Sequence, residues 1–482
     1  MNNSELKPKL VFDYFSQINK VPRPSKKEEK IIAFLQKFAE ENGLPCKVDE
    51  AGNVLITKGA TPGMENKPTV VFQSHMDMVC EKTSDRIIDF ENDPIETYID
   101  GEWMRAKGTT LGADDGIGIA MEMALLTDDS VAHGPLECLF TRDEETGLTG
   151  AFDLMPGFFT GKYLLNLDSE DEGEIFIGCA GGANTEITLP LRMTELRKSY
   201  FPLHICVDKL TGGHSGDDID KHRANANKIL VRFIAQAMEK YDVKLVDFQG
   251  GNLHNAIPRN AEAVIAVPFP DKENIRVDFN IFASEIEAEY SNEKNVHFFL
   301  ESAVGVTECV EDEQACQIIQ ALLAVHNGVY EMSVDLPGLV ETSSNLASVH
   351  FTEDKVMKIV TSQRSSIGSQ RIAMSQIVSA PFKLIGAETV TGEGYPGWKP
   401  NADSPLLKTV TATYEKLYGK QPKVRAIHAG LECGLFSEKY PGLDMVSFGP
   451  TLRGVHSPDE RLLISTVDMV WQHILEILKT IE

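Results

Sequence analysis

Apolar residues at positions 31, 32, 34, 35 and 38 follow Ser25 and Glu28, which stand at capping-box spacing, and Gly43 closes the run. This periodicity predicts an amphipathic helix near the N terminus. Short apolar runs then occur at 69–72, 136–141 and 163–167, each flanked by turn residues. Their length predicts strands buried on both faces of a sheet, with a helix over 117–126 between two of them. Strands alternating with helices predict an α/β sheet with parallel character. The last quarter of the chain returns to this style. Ser404 and Pro405 open a helix carrying Leu406, Leu407, Val410 and Tyr414, and Gly419 ends it. A strand is expected over 445–448, and Ser465 is expected to cap a final helix through Val467, Val470, Trp471, Ile474 and Leu478.

The middle of the chain, about 187–395, reads differently. Strand-like stretches at 201–207, 263–267, 296–300 and 356–360 alternate with helices at 224–240 and 313–326. Two such rounds suggest an inserted α+β domain, possible as an internal duplication, although no strong sequence repeat supports one. Gly-rich or Pro-rich stretches at 178–184 and 392–400 mark its edges. The expected organisation is a discontinuous domain of 1–186 and 396–482 that hosts an insertion of 187–395.

Composition narrows the classes of function. The 482 residues carry 72 acidic against 46 basic side chains, a net charge of −26 that repels phosphate backbones and anionic lipids. Nucleic-acid and membrane-surface partners are therefore not expected, whereas metal cations remain compatible. The stretch 1–20 lacks the apolar core of a secretory signal, and no window approaches the run of about 20 apolar residues that spans a bilayer. The eight cysteines are scattered singly with no C-x-x-C pair, so buried reduced thiols and a cytoplasmic location are expected.

The chemistry lies in polar residues that follow the predicted strands. Val70, Val71 and Phe72 run into Gln73-Ser74-His75-Met76-Asp77. Residues two apart on an extended segment point the same way, so Asp77 can hold the free N–H of a metal-bound His75. A surface turn is the ordinary alternative. Next, a Gly-rich turn over 108–116 places Asp114 and Asp115 at the mouth of a helix, where capping by Asp114 is the competing reading. Glu144 and Glu145 follow the strand at 136–141, and Asp168 follows that at 163–167. The acidic run from Asp168 fails as a calcium loop, because its third and fifth positions are Glu and its twelfth is Cys179. His456 lies in a late Gly-x-His-Ser-Pro segment after the strand at 445–448.

Open α/β sheets bind ligands beyond the carboxyl ends of their strands. Two His and three carboxylates there form the ligand set of a dinuclear centre, in which one bridging carboxylate joins two ions about 3.5 Å apart. Of the adjacent acids Glu144 and Glu145, one can ligate while the other serves as general base. Two divalent ions would return only a small part of the charge of −26, so the acid excess is mainly a property of the surface.

The order S-H-x-D, G-A-D-D-G, D-E-E-T-G, N-L-D-S-E and a late G-x-H-S-P resembles the co-catalytic zinc peptidases that include dipeptidases, tripeptidases and aminoacylases. The long insertion, the segment from His428 to Gly434 and Gly394-Tyr395-Pro396-Gly397-Trp398 are similar to bacterial cytosolic aminoacyl-histidine (Xaa-His) dipeptidases. The resemblance covers essentially the whole chain. It implies an α/β fold: a discontinuous zinc-peptidase catalytic domain with a mixed, largely parallel sheet, plus an inserted α+β lid domain. It makes Asp114 the bridging ligand, with His75 and Asp168 completing one metal and Glu145 and His456 the other. Asp77 would orient His75, and Glu144 would be the general base and acid. His214, in Gly212-Gly213-His214-Ser215-Gly216, would polarise the scissile carbonyl oxygen. Asn255, Arg364, His428 and Glu432 would bind substrate, with Arg364 suited to a carboxylate by its planar two-donor fork. One position departs: many relatives carry Lys where this chain has Gly116.

The implied activity is metal-dependent hydrolysis of dipeptides with a preference for C-terminal histidine, β-alanyl-histidine among them. A tripeptidase, an N-acyl amino acid deacylase and, from another class, a non-catalytic metal-binding scaffold are the alternatives. Zinc is the first expectation for the two ions, with manganese or cobalt compatible with the same ligands. A homodimer through the lid is expected, with a doubled-lid monomer as the alternative.

Overall fold

The structure, a computed structural model, describes residues 6–334 and 336–482. The first five residues, part of the stretch read for a secretory signal, lie outside the described residues. The chain forms two compact units: Met1–Cys179 with Trp398–Ala426 and Leu431–Glu482, and Ala180–Gly397 with Ile427–Gly430. These edges differ from 186/187 and 395/396 because Gly181–Pro190 is one unbroken strand of the second unit's sheet.

The first unit is built on an eight-stranded sheet. Its order is Cys46–Val48, Val54–Lys58, Leu136–Thr141, Val70–His75, Tyr163–Asn166, Asp444–Ser447, Glu174–Cys179 and Lys423–Ile427. Its four central strands, from Leu136–Thr141 to Asp444–Ser447, pair in parallel, whereas Cys46–Val48 with Val54–Lys58, Val54–Lys58 with Leu136–Thr141, and Asp444–Ser447 with Glu174–Cys179 pair antiparallel. Every residue of Val70–His75 and Leu136–Thr141 is buried, as in a strand covered on both faces. Helix Ala113–Thr127 packs on Val70–His75 and on helix Lys9–Ile18. The latter escaped the sequence pattern, although its Val11, Phe12, Phe15 and Ile18 are all buried. A separate four-stranded sheet joins Leu452–Arg453, Arg461–Leu463, Trp103–Ala106 and Thr97–Asp100. Among the described residues, no helix is long and apolar enough to cross a membrane.

The second unit holds a nine-stranded sheet whose neighbouring strands pair antiparallel. Helices Ala226–Lys240, Lys272–Glu289, Asp312–Ala324 and Gly368–Leu384 complete it. Leu203, Ile205, Ile229, Phe233, Phe279 and Ile318 share one core with these elements. A short two-stranded ribbon pairs His214 with Ala256 and Gly213 with Ile257, joining two of the singled-out segments.

Two predicted caps do not form. Helix Glu29–Glu41 has no side-chain cap, because the Ser25 hydroxyl donates to Asp77 Oδ2 (2.8 Å) and Glu28 accepts from Arg142 Nε (2.8 Å) and the Lys26 amide (2.7 Å). The final helix, Ile464–Thr480, begins at Leu463 and leaves Ser465 inside its first turn. Ser404 does cap Pro405–Tyr418, accepting from the Leu407 amide at 2.9 Å, and Gly419 closes it at φ +66°.

Candidate active site

The strand end at His75 sets the centre of the site. His75 and Asp77 are both buried, and Asp77 Oδ1 lies 3.3 Å from His75 Nδ1. Asp77 also accepts the backbone amides of Glu144 (3.0 Å) and Glu145 (3.2 Å), so one carboxylate ties the first strand end to the second. The other imidazole nitrogen of His75, Nε2, faces Asp114 Oδ1 at 3.0 Å and Asp168 Oδ1 at 3.5 Å.

Asp114 stands between two imidazoles. Its second oxygen, Oδ2, is 3.1 Å from His456 Nε2, which also lies 2.9 Å from Glu145 Oε2. His75, Asp114 and Glu145 each present a ligand atom within 4.8 Å of the others. The capping alternative for Asp114 does not hold. Asp114 and Asp115 have non-helical φ/ψ, and it is Asp115 Oδ1 that accepts the Gly118 amide (3.2 Å). Asp114 is thereby left to face the imidazoles. The peptide bond between the two acids is cis.

His456 reaches this place by an unpredicted route. It does not leave the end of Asp444–Ser447, but sits in the hairpin loop between Leu452–Arg453 and Arg461–Leu463, at φ +61°. It is half-exposed, whereas Asp114, Glu145 and Asp168 are largely buried.

The electrostatics follow from this crowding. Burial alone would lower His75, but Asp168, Asp114 and Asp77 raise its pKa well above the usual imidazole range. Hydrogen bonds that His456 donates to the Asp114 and Glu145 carboxylates push it up to about 11. Burial opposes ionisation of Asp114, yet the two imidazoles outweigh it and hold that carboxyl far below its ordinary value. Burial raises Asp168 to about 7 despite the opposing pull of His75. Glu144 is raised well above the carboxylate range, first by burial and then by Asp168, Glu145 and Glu432.

A pair of divalent cations fits this donor set. Each oxygen of Asp114 faces a different imidazole, each imidazole has a further carboxylate beside it, and the repulsion among the acids calls for positive charge. The other buried acid cluster, Glu28, Asp77 and Asp143, differs in kind. Its oxygens are engaged by Arg142, Ser25, backbone amides and the hydroxyls of Thr146 and Thr149.

Three supporting residues had no role in the sequence reading. Arg23 is fully buried and donates to the carbonyls of Met76 (3.1 Å), Asp77 (2.6 Å) and Gly112. A Cβ on Gly116 would stand 2.6 Å from its Nη2, so glycine at 116 leaves room for this guanidinium. Glu460, buried, accepts the amides of Leu111, Gly112, Ala113 and Asp114. Its spacing from His456 was the available signal. Gln73 donates to Glu432 Oε2 (2.7 Å) and accepts from Asn166 (2.6 Å). Glu432, expected to touch substrate, is instead 1% exposed and also takes the Thr141 hydroxyl at 2.7 Å. Burial raises it to about 8.

The remaining expected residues belong to the second unit. Arg364 is 6% exposed; its guanidinium donates to the Tyr395 hydroxyl (2.9 Å) and lies 3.3 Å from His214 Nε2. His428 meets the Ser343 hydroxyl at 2.7 Å, and burial followed by the Arg364 charge lowers it to about 3. Asn255 is exposed, and its carbonyl accepts the Ser215 amide at 2.8 Å.

Residues 71–480 match the model of peptidase family M20/M25/M40. The chain belongs to this family. A cytosol non-specific dipeptidase of Escherichia coli (strain K12) is 43% identical over 479 residues, covering 99% of both chains. The crystal structure of an aminoacylhistidine dipeptidase from Vibrio alginolyticus superposes with a TM-score of 0.94 at 42% identity, covering 100% of this chain and 98% of that one. A tripeptidase from Staphylococcus aureus shares the M20 fold at a TM-score of 0.55 and 16% identity, covering 98% of each chain.

Proposed function

We propose that this M20 family protein is a cytoplasmic dipeptidase that uses two divalent ions, zinc first, and prefers a C-terminal histidine. The observation that carries hydrolysis is Asp114, with one carboxylate oxygen against each of two imidazoles and the acid Glu144 beside them. The names of the full-length relatives support the dipeptide as substrate class.

His75, Asp114 and Asp168 would hold one ion, and Asp114, Glu145 and His456 the other. The ions supply Lewis acidity toward the scissile carbonyl and toward a water molecule. Glu144 removes the proton from the attacking water at a carboxylate oxygen. As the C–N bond breaks, it delivers that proton to the leaving amine. Its high proton affinity suits a group that must accept a proton and hand it on. Asp77 fixes the His75 ring through Nδ1 and fixes the Glu144 backbone through its amide. In the second unit, His214 is assigned to the carbonyl oxygen, Asn255 to the substrate backbone, and Arg364, flanked by His428, to the C-terminal carboxylate.

We further assign the second unit to lid and dimerisation roles. Val277 and Ile281, one turn apart on Lys272–Glu289 and more than half exposed, support pairing of two copies there. The activity is tested by assaying β-alanyl-histidine, a tripeptide and an N-acetyl amino acid side by side, with and without chelator. Chelator-sensitive turnover of the dipeptide is expected. Faster turnover of either other substrate would replace the dipeptidase reading, and none at all would leave a metal-binding scaffold.

A further inference from the structure

We propose that Glu460 is a positioning residue of the metal centre: its carboxylate fixes the peptide carrying Asp114, and its backbone amide closes the loop carrying His456. The inference rests on reading those two residues as metal ligands. Glu460 Oε2 accepts the amides of Leu111 (2.7 Å) and Gly112 (3.1 Å), and Oε1 those of Ala113 (2.8 Å) and Asp114 (3.4 Å). The residue is 2% exposed, so these amides take the place of water around its carboxyl oxygens.

Ordinary helix capping does not account for the contact. The helix proper starts beyond Asp115, whose own carboxylate caps it by accepting the Gly118 amide. The four amides on Glu460 lie upstream, in the loop that aims Asp114. Arg23 takes the Gly112 carbonyl, so the same loop is held by an anion on its N–H side and a cation on its C=O side. Gly112 adopts φ +66°, and a Cβ there would come within 2.7 Å of Arg23 Nη2.

The other end of the clamp is equally tied. The Glu460 amide donates to the Ser457 carbonyl (3.0 Å), and the Ser457 hydroxyl donates to the Gly454 carbonyl (2.6 Å). These bonds close the loop that holds His456 at positive φ. Glu460 therefore couples the Asp114 peptide, through its side chain, to the His456 loop, through its backbone, and these two ligands would share one ion.

The test uses the full chain with Co²⁺ as probe, reading affinity and stoichiometry by equilibrium dialysis and ligand geometry by visible absorption. Glu460→Gln keeps the shape but turns an NH2 group toward two of the amides; Glu460→Asp keeps the charge on a shorter arm. Both are expected to weaken Co²⁺ binding by about 10–100-fold and to alter the absorption bands, with Glu460→Asp the milder. Circular dichroism of the metal-free proteins establishes folding, and if Glu460→Gln fails to fold, Glu460→Asp decides alone. Wild-type affinity and spectrum in a folded variant, even with a lower melting temperature, overturn the proposal. Failure of the wild-type chain itself to bind two ions would instead overturn the underlying metal-site reading.

Discussion

At the scale of single residues, adjacent acids are given different work by their surroundings. The Asp77 carboxylate accepts both their amides, at 3.0 Å and 3.2 Å, so the backbone of Glu144 and Glu145 is set by the same group that orients His75. From that backbone Glu145 turns to His456, while burial gives Glu144 a raised proton affinity that the nearby His75 only partly offsets. Glu144→Gln is expected to retain both ions, measured by elemental analysis, and to lower kcat roughly 10²–10⁴-fold. Activity near that of the wild type would remove Glu144 from proton transfer. Arg364→Ala is expected chiefly to raise KM for dipeptides with a free carboxylate, with little change for the corresponding dipeptide amides. Equal effects on both substrates would remove the carboxylate assignment.

At the scale of elements, equal sequence signals end differently according to what lies nearby. Ser404 and Ser465 both precede an apolar helical run. Only Ser404 caps, and its hydroxyl also donates to Asp444 Oδ1 at 2.6 Å. Ser404→Ala should cost about 1 kcal/mol in urea unfolding, and Ser465→Ala much less. A reversal of that order would contradict the cap geometry. The box at Ser25 and Glu28 fails because both side chains are drawn away to Asp77 and Arg142, which a local window does not contain. The strands were legible because burial on both faces leaves short clusters of apolar residues, Val70-Val71-Phe72 and Cys138-Leu139-Phe140 among them. Helix Lys9–Ile18 was not, although Leu10, Val11, Phe12, Phe15 and Ile18 are apolar, because no Ser, Thr, Asp or Asn cap marks its start after Pro8.

At the scale of the whole molecule, stability is linked to protons and to ions. His473, on the last helix, is 3% exposed, and burial lowers it to about 4, with the Val410 carbonyl 2.9 Å from its Nε2. Its unfolded value is about 6.5. The unfolded chain therefore binds this proton first, so stability is intact above about pH 6.5 and falls as the pH drops toward 4, by up to about 3 kcal/mol. Comparing the pH dependence of urea midpoints for the wild type and His473→Gln, both in chelator, should show a flatter acid limb in the variant. Parallel curves would show that His473 does not carry the effect. Ions that bind only the folded state should add about 2.7 kcal/mol at a hundredfold excess over Kd, read as a chelator-reversible rise in melting temperature. An unchanged melting temperature would argue against a site formed from these ligands.

The sequence by itself determined the central strands, the turns at their ends, and the order of the acidic and imidazole groups. Those features are local, since burial on both faces and turns at strand ends are written in neighbouring residues. Tertiary structure alone decided that Asp114 is freed from capping by Asp115 and that His456 arrives on a separate hairpin. It alone also placed Glu432 beneath the site and Glu460, 346 positions away, on the Asp114 amide. A buried carboxylate takes whichever donors the fold brings within reach, and that reach is set by packing rather than by distance along the chain.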